Sequence, residues 1–151
     1  MAGYFTNRGK FLLLGYVFRG TTLPTNFYIA LVTDGSAPSA DIDTLSQLTQ
    51  IQTGNGYSDG GFQLTPNSTD FDSLTQNNTD DRAALQLKTV SWTASGGSIP
   101  SSGDSARYAV LTDDNVTVGS RQVFFIWDLS VDRAAANGEA INLNDLEVRL
   151  A

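Results

Sequence analysis

Acidic side chains are the residues of this chain that recur in groups dense enough to suggest chemistry. They stand at Asp41 and Asp43, Asp70 and Asp72, Asp80 and Asp81, and Asp113, Asp114 and Asn115. Such oxygen-rich groups could hold calcium, which takes six to eight oxygen ligands. A helix-bounded calcium loop also needs a Gly and a distal Glu at set offsets, and none of the four groups supplies them. Turn closure and helix capping, the everyday roles of Asp and Asn, are therefore preferred over a bound cation. Two carboxylates flanking a glycosidic bond could hydrolyse a polysaccharide. The glutamate pair, Glu139 and Glu147, falls near the end of the chain, where a solvated face is the simpler explanation.

Other catalytic constellations lack their parts. The chain has no histidine and no cysteine, and Lys10 and Lys88 are its only lysines. That removes the commonest general base, the thiol nucleophile, thiolate zinc sites, disulfides and any evident Ser–Lys arrangement. No enzymatic activity, cofactor or metal is expected. Trp92, Trp127, Tyr28, Tyr108 and Phe124 could stack on sugar rings, but they lie inside apolar segments and are expected in the core.

The N-terminal segment is different. A short helix carrying Phe5, Phe11, Leu12, Leu13 and Phe18 around its circumference cannot bury every one of them against a single sheet. These five residues are the candidate partner-binding surface. An ordinary helix closing one end of the fold is the competing reading. Removal of Met1 to Gly20 is expected to weaken attachment or self-association more than it disturbs the sheet.

The 151 residues fit one domain, and 40% hydrophobic against 17% charged residues is enough apolar content for a core. Nine basic against sixteen acidic residues give a formal charge of -7, which repels phosphate backbones and argues against nucleic acid. The apolar run Phe11 to Phe18 is much shorter than the ~20 residues that span a bilayer, and no small-residue cleavage site follows it. A soluble chain, with this segment part of the mature fold, is expected.

Periodicity places the elements. Phe11, Leu14 and Phe18 recur at helical spacing, with Thr6 or Asn7 as N-cap and Gly20 as stop. A second short helix is expected over 41–51, where Ile42, Leu45 and Leu48 fall three apart. Strands are expected at Phe27 to Thr33, Ala106 to Thr112 and Gln122 to Leu129, the last an unbroken apolar run suited to a strand covered on both faces. The segment from Leu85 to Trp92 alternates, with a change of face near Val90 that suggests a bulge or two-sided burial. Residues 52–82 read as a polar excursion around one or two weak strands, with a polar insertion at 65–82. Ala140 to Leu143 and Leu146 to Leu150 read as two strands joined by a tight turn at Asn144-Asp145. The sum is a mainly β single domain over 1–151, an antiparallel β-sandwich of jelly-roll or Ig-like type, with one or two short N-terminal helices and a helical segment at 1–20.

The order of these signals resembles a recurrent family of small virion proteins of tailed bacteriophages: capsid decoration or cement, head fibre and minor tail proteins. The resemblance is carried by Asn26-Phe27-Tyr28-Ile29-Ala30-Leu31-Val32-Thr33 and Asn55-Gly56-Tyr57, although Ser58-Asp59 stands where Ala-Arg is usual. It continues in Val90-Ser91-Trp92 with Ser95-Gly96-Gly97-Ser98-Ile99, in Ala106 to Asp113, and in Phe125-Ile126-Trp127-Asp128-Leu129. Gly138 to Leu143 before Leu146 to Leu150 is similar to the family's closing hairpin. The resemblance implies a β-sandwich with a particle-building role, common to several parts of the particle. The role expected here is a decoration protein bridging major capsid protein subunits on the capsid exterior, made in the bacterial host cytoplasm, with symmetry favouring a homotrimer or homodimer. A neck, tail or baseplate protein, or a carbohydrate-binding receptor module, are the alternatives.

Overall fold

The computed structural model describes residues 1–35 and 37–151. Its elements are β1 (Gly3–Phe5), α1 (Asn7–Phe18), β2 (Phe27–Val32), β3 (Phe62–Leu64), β4 (Ser73–Asn77), β5 (Arg82–Gln86), β6 (Val90–Thr93), β7 (Ala106–Thr112), β8 (Val123–Arg133), β9 (Ala140–Leu143) and β10 (Glu147–Leu150). The protein is mainly β, with antiparallel sheets ordered β1-β8-β7-β2-β3, β10-β5-β4 and β6-β9, and one N-terminal α-helix. Among the described residues no helix is long and apolar enough to cross a membrane.

Strands β2, β7 and β8 form the middle of the five-stranded sheet, and their side chains alternate between two buried faces. Ile29, Leu31, Ala109, Leu111, Phe125 and Trp127 join one cluster with Trp92, Ile141 and Leu143 of the two-stranded sheet. Ala30, Val32, Val110, Val123 and Ile126 point the other way, onto Leu45 and Leu48. Burial on both faces is the reason these strands read as continuous apolar runs.

Strand β8 carries a bulge that sets the position of α1. Leu111 pairs with Phe125 and Thr112 with Val123, leaving Phe124 as an extra residue. Thr6 binds at this irregularity: its amide donates to the Phe124 carbonyl at 3.0 Å and its hydroxyl to the Val123 carbonyl at 2.5 Å. The same hydroxyl accepts from the Gly9 amide at 2.8 Å, which makes Thr6 the N-cap. Gly9 lies so close to the bulge that a Cβ there would fall 2.2 Å from the Phe124 carbonyl oxygen.

Several expectations are corrected. Residues 41–51 form no α-helix, only a 3-10 turn at Leu45–Gln47. The segment uses its backbone groups on neighbours instead: the Leu45 amide donates to Arg121, Thr33 to Thr49, and Ile51 to Leu31. Leu45 and Leu48 are thereby held under the sheet, so tertiary pairing overrides the three-residue spacing. The segment 85–92 is neither one strand nor a bulged one. Strand β5 pairs with β4 and β10, whereas β6 pairs with β9, and the change of face near Val90 marks passage from one sheet to another. Likewise β9 and β10 make no hairpin, because their partners are β6 and β5.

The segment 1–20 is not wholly helical. Residues Gly3–Phe5 add edge strand β1 to β8, so removing 1–20 would strip a strand from the main sheet as well as the helix. The polar insertion 65–82 contains β4, hairpinned onto β5. Its two Asn-x-Thr-Asp turns are built alike: Asn67 Oδ1 accepts from the Thr69 and Asp70 amides, and Asn77 Oδ1 from those of Thr79 and Asp80.

Gly9→Ala must push α1 away from β8. The expected loss is about 1–3 kcal/mol of unfolding free energy, measured by urea denaturation.

Candidate functional site

Helix α1 has two stripes. Gly9, Leu12 and Tyr16 face the protein, where Leu12 and Tyr16 pack on the larger cluster and Tyr16 stacks on Phe124 at 6.2 Å. Phe11, Leu14 and Phe18 face outward at 65%, 58% and 78% exposure, and Val17 and Leu23 are 66% and 64% exposed beside them. The stripe with the most regular apolar spacing is thus the one without a covering layer.

The five candidate residues divide accordingly. Phe11 and Phe18 lie on the exposed ridge. Leu12 is half-buried against the core, and Leu13 is half-buried in the wall of a groove. Phe5 lies in β1 and not in the helix: it is half-buried, its ring packs edge-on against Phe125 at 5.0 Å, and it also lines that groove. Leu14, Val17 and Leu23 were missed as exposed residues. The signal for the inward stripe was Gly9, whose missing side chain lets helix and strand meet; with Leu12 and Tyr16 it makes an i, i+3, i+7 set.

Between α1 and the three-stranded sheet runs a groove of about 500 Å³. Leu13 and Val17 form one wall, Leu74, Leu85 and Val148 the other, and Phe124 contributes to the floor; no charged side chain lines it. On the far flank of the helix a second hollow of about 690 Å³ is bordered by Phe11, Leu14 and Phe18. Arg8 is anchored on two residues of that border, its guanidinium 5.1 Å from the Phe11 ring centre and its Nε donating to Gln122 Oε1.

At least one member of each acidic group is engaged locally. Asp114 accepts from the Thr25 and Asn26 amides, both at 3.0 Å, and fixes the chain entering β2. Asp113 accepts from the Gln122 amide at 3.0 Å, Asp41 from Asn7 Nδ2 at 2.9 Å, and Asp80 from Asn77 Nδ2 at 2.9 Å. Glu139 accepts from the Ala136 amide, and Glu147 pairs with Arg149. Among the described residues no three His, Cys, Asp or Glu side chains converge as a metal site would require.

Of the five aromatic residues weighed as a sugar platform, Tyr28 and Tyr108 are half-buried, the latter with the Arg107 guanidinium 5.9 Å from its ring centre. Trp92, Trp127 and Phe124 are buried, and the Trp127 indole donates to the Glu147 carbonyl at 2.9 Å. The Arg121 guanidinium covers Tyr28 at 3.8 Å while donating to the carbonyls of Asn115 and Gly60. Tyr57 is buried and accepts from the Leu31 amide at 2.9 Å; burial pushes its phenol far above the usual range, so it stays neutral.

Two ion pairs hold carboxylates below their usual pKa: Lys88 donates to Asp70 at 2.5 Å, and Arg107 to Asp128 at 3.0 Å. A scan against protein-family models, a search of curated proteins and a search of solved structures each find no match. The virion-protein resemblance therefore rests on the residues quoted for it.

Phe18→Ser should change stability by less than about 0.5 kcal/mol, whereas Phe5→Ala should cost about 3 kcal/mol, both read from denaturant midpoints. Acid provides a further check. The depressed Asp70 and Asp128 carboxyls contribute fully above the unfolded value of about pH 4 and lose their contribution as pH falls through their lower folded values. Lys88→Met should make stability less steep with pH across that acid window, followed by fluorescence of the two tryptophans.

Proposed function

We propose that this chain is a structural protein of a tailed-bacteriophage particle, a capsid decoration protein built as a β-sandwich that bridges major capsid protein subunits on the outer shell. One observation carries the reading: a well-anchored helix offers Phe11, Leu14 and Phe18 to a neighbour, and its own fold leaves them uncovered. An apolar ridge beside an uncharged groove has the character of a protein interface. The local use of the acidic residues in turns and ion pairs, and the order of sequence elements similar to small virion proteins, favour a building role over catalysis. The packing of the two-stranded sheet across the main sheet supports the sandwich.

Decoration works by mass action. A protein that binds only the assembled lattice stabilises it in proportion to occupancy, and several linked copies multiply the effect. The acidic composition suits an exterior position, since it gives no attraction for the packaged genome.

Quantitative stoichiometry of purified particles tests this. Hundreds of copies per virion are expected. About six or twelve copies would move the protein to the neck, tail or baseplate, and absence from the particle would remove the virion role altogether.

A further inference from the structure

The groove and the ridge flank the same helix, and each lacks what the other offers. The groove is apolar, uncharged and about 500 Å³ in volume, which is room for more than one large side chain. Water there finds few hydrogen-bonding partners, so an apolar occupant is favoured. The ridge presents Phe11, Leu14 and Phe18 with no layer over them.

Area and charge narrow the choice of occupant. Phe11, Leu14, Val17, Phe18, Leu23 and Leu74 are all more than half exposed. Summed over the two flanks of α1, they present on the order of 700 Å² of mostly apolar surface, close to the ~800 Å² each partner buries in a standard interface. Arg8, Lys10 and Arg19 are the only charged residues before Asp34; the six other cations share the rest of the chain with all sixteen acids. None of these three makes an ion pair among the described residues. Exposed Asp72, directly after groove residue Phe71, makes none either. Seating the Phe18 end of the ridge in such a groove would bring Arg19 toward Asp72, which follows Phe71 of the groove lining. A second copy supplies both that groove and that carboxylate.

We infer that the groove of one copy is filled by the α1 ridge of a second copy. This rests on reading α1 as an interface, and it leaves the acidic remainder of the surface to meet other partners. A contact in which ridge enters groove closes either as a two-fold pair that exchanges both or as a small ring.

Sedimentation velocity on the purified chain, Phe18→Glu (ridge) and Leu74→Glu (groove wall) tests the inference, with circular dichroism confirming that each variant stays folded. The wild-type chain should self-associate at ~10 µM, and each variant should associate at least ~10-fold more weakly. An equimolar mixture of the variants should associate more strongly than either alone, because one retains its groove and the other its ridge. A wild-type chain that stays monomeric at ~100 µM, variants that associate like wild type, or a mixture no stronger than its components would each overturn the inference. A monomeric chain whose attachment to particles is abolished by Phe18→Glu would assign the ridge to the shell protein, rejecting the second copy while keeping the virion role. Self-association as described, by a protein absent from particles, would do the reverse.

Discussion

The Thr6 hydroxyl makes two hydrogen bonds that together determine what the molecule can present. It accepts from the Gly9 amide and so starts α1, and it donates to Val123 at the irregular end of β8. Thr6 is fully buried, so both bonds are shielded from water and the loss of either would strand a polar group. The bulge at Phe124 supplies the matching carbonyls, and Gly9 supplies the clearance. With its first turn fixed, the helix has no freedom to roll its outer stripe inward. The exposed apolar ridge follows from this anchor.

Legibility in the sequence followed the number of faces each element buries. Strands β2, β7 and β8 stood out because both faces are covered, so their apolar runs are unbroken. The helix was legible from its cap, and Gly20, with φ of 65°, ends the chain's helical course as a glycine can. The region 41–51 misled because residues three apart suit both an α-helix and a bridging segment whose turn inserts two leucines beneath a sheet. Only backbone pairing with Leu31, Thr33 and Arg121 separates the two, and that pairing is remote in sequence. Strand partners were invisible for the same reason: nothing local shows that Leu143 and Glu147 belong to different sheets.

The candidate surface was half legible. The sequence announced more apolar side chains around α1 than one sheet can cover, and the structure agrees. Which of them stay outside depended on the helix's rotation, which the Thr6 bonds and the close contact at Gly9 set together. Phe5 misled because an aromatic just before a helix reads as part of it, whereas the residue is an edge-strand side chain packed on Phe125. Asp114 and Asp113 shape the backbone around them by accepting amides, whereas in the paired Asn-x-Thr-Asp turns Asn67 and Asn77 are the acceptors.

The separation of the two helical stripes has an evolutionary consequence. Gly9, Leu12 and Tyr16 hold the helix in place, whereas Phe11, Leu14 and Phe18 touch little of their own chain. Selection for folding and selection for partner choice therefore act on different positions of one twelve-residue element. The outer set is free to drift and acquire new specificities at small cost to the fold, while the inner set is constrained by the atoms it meets.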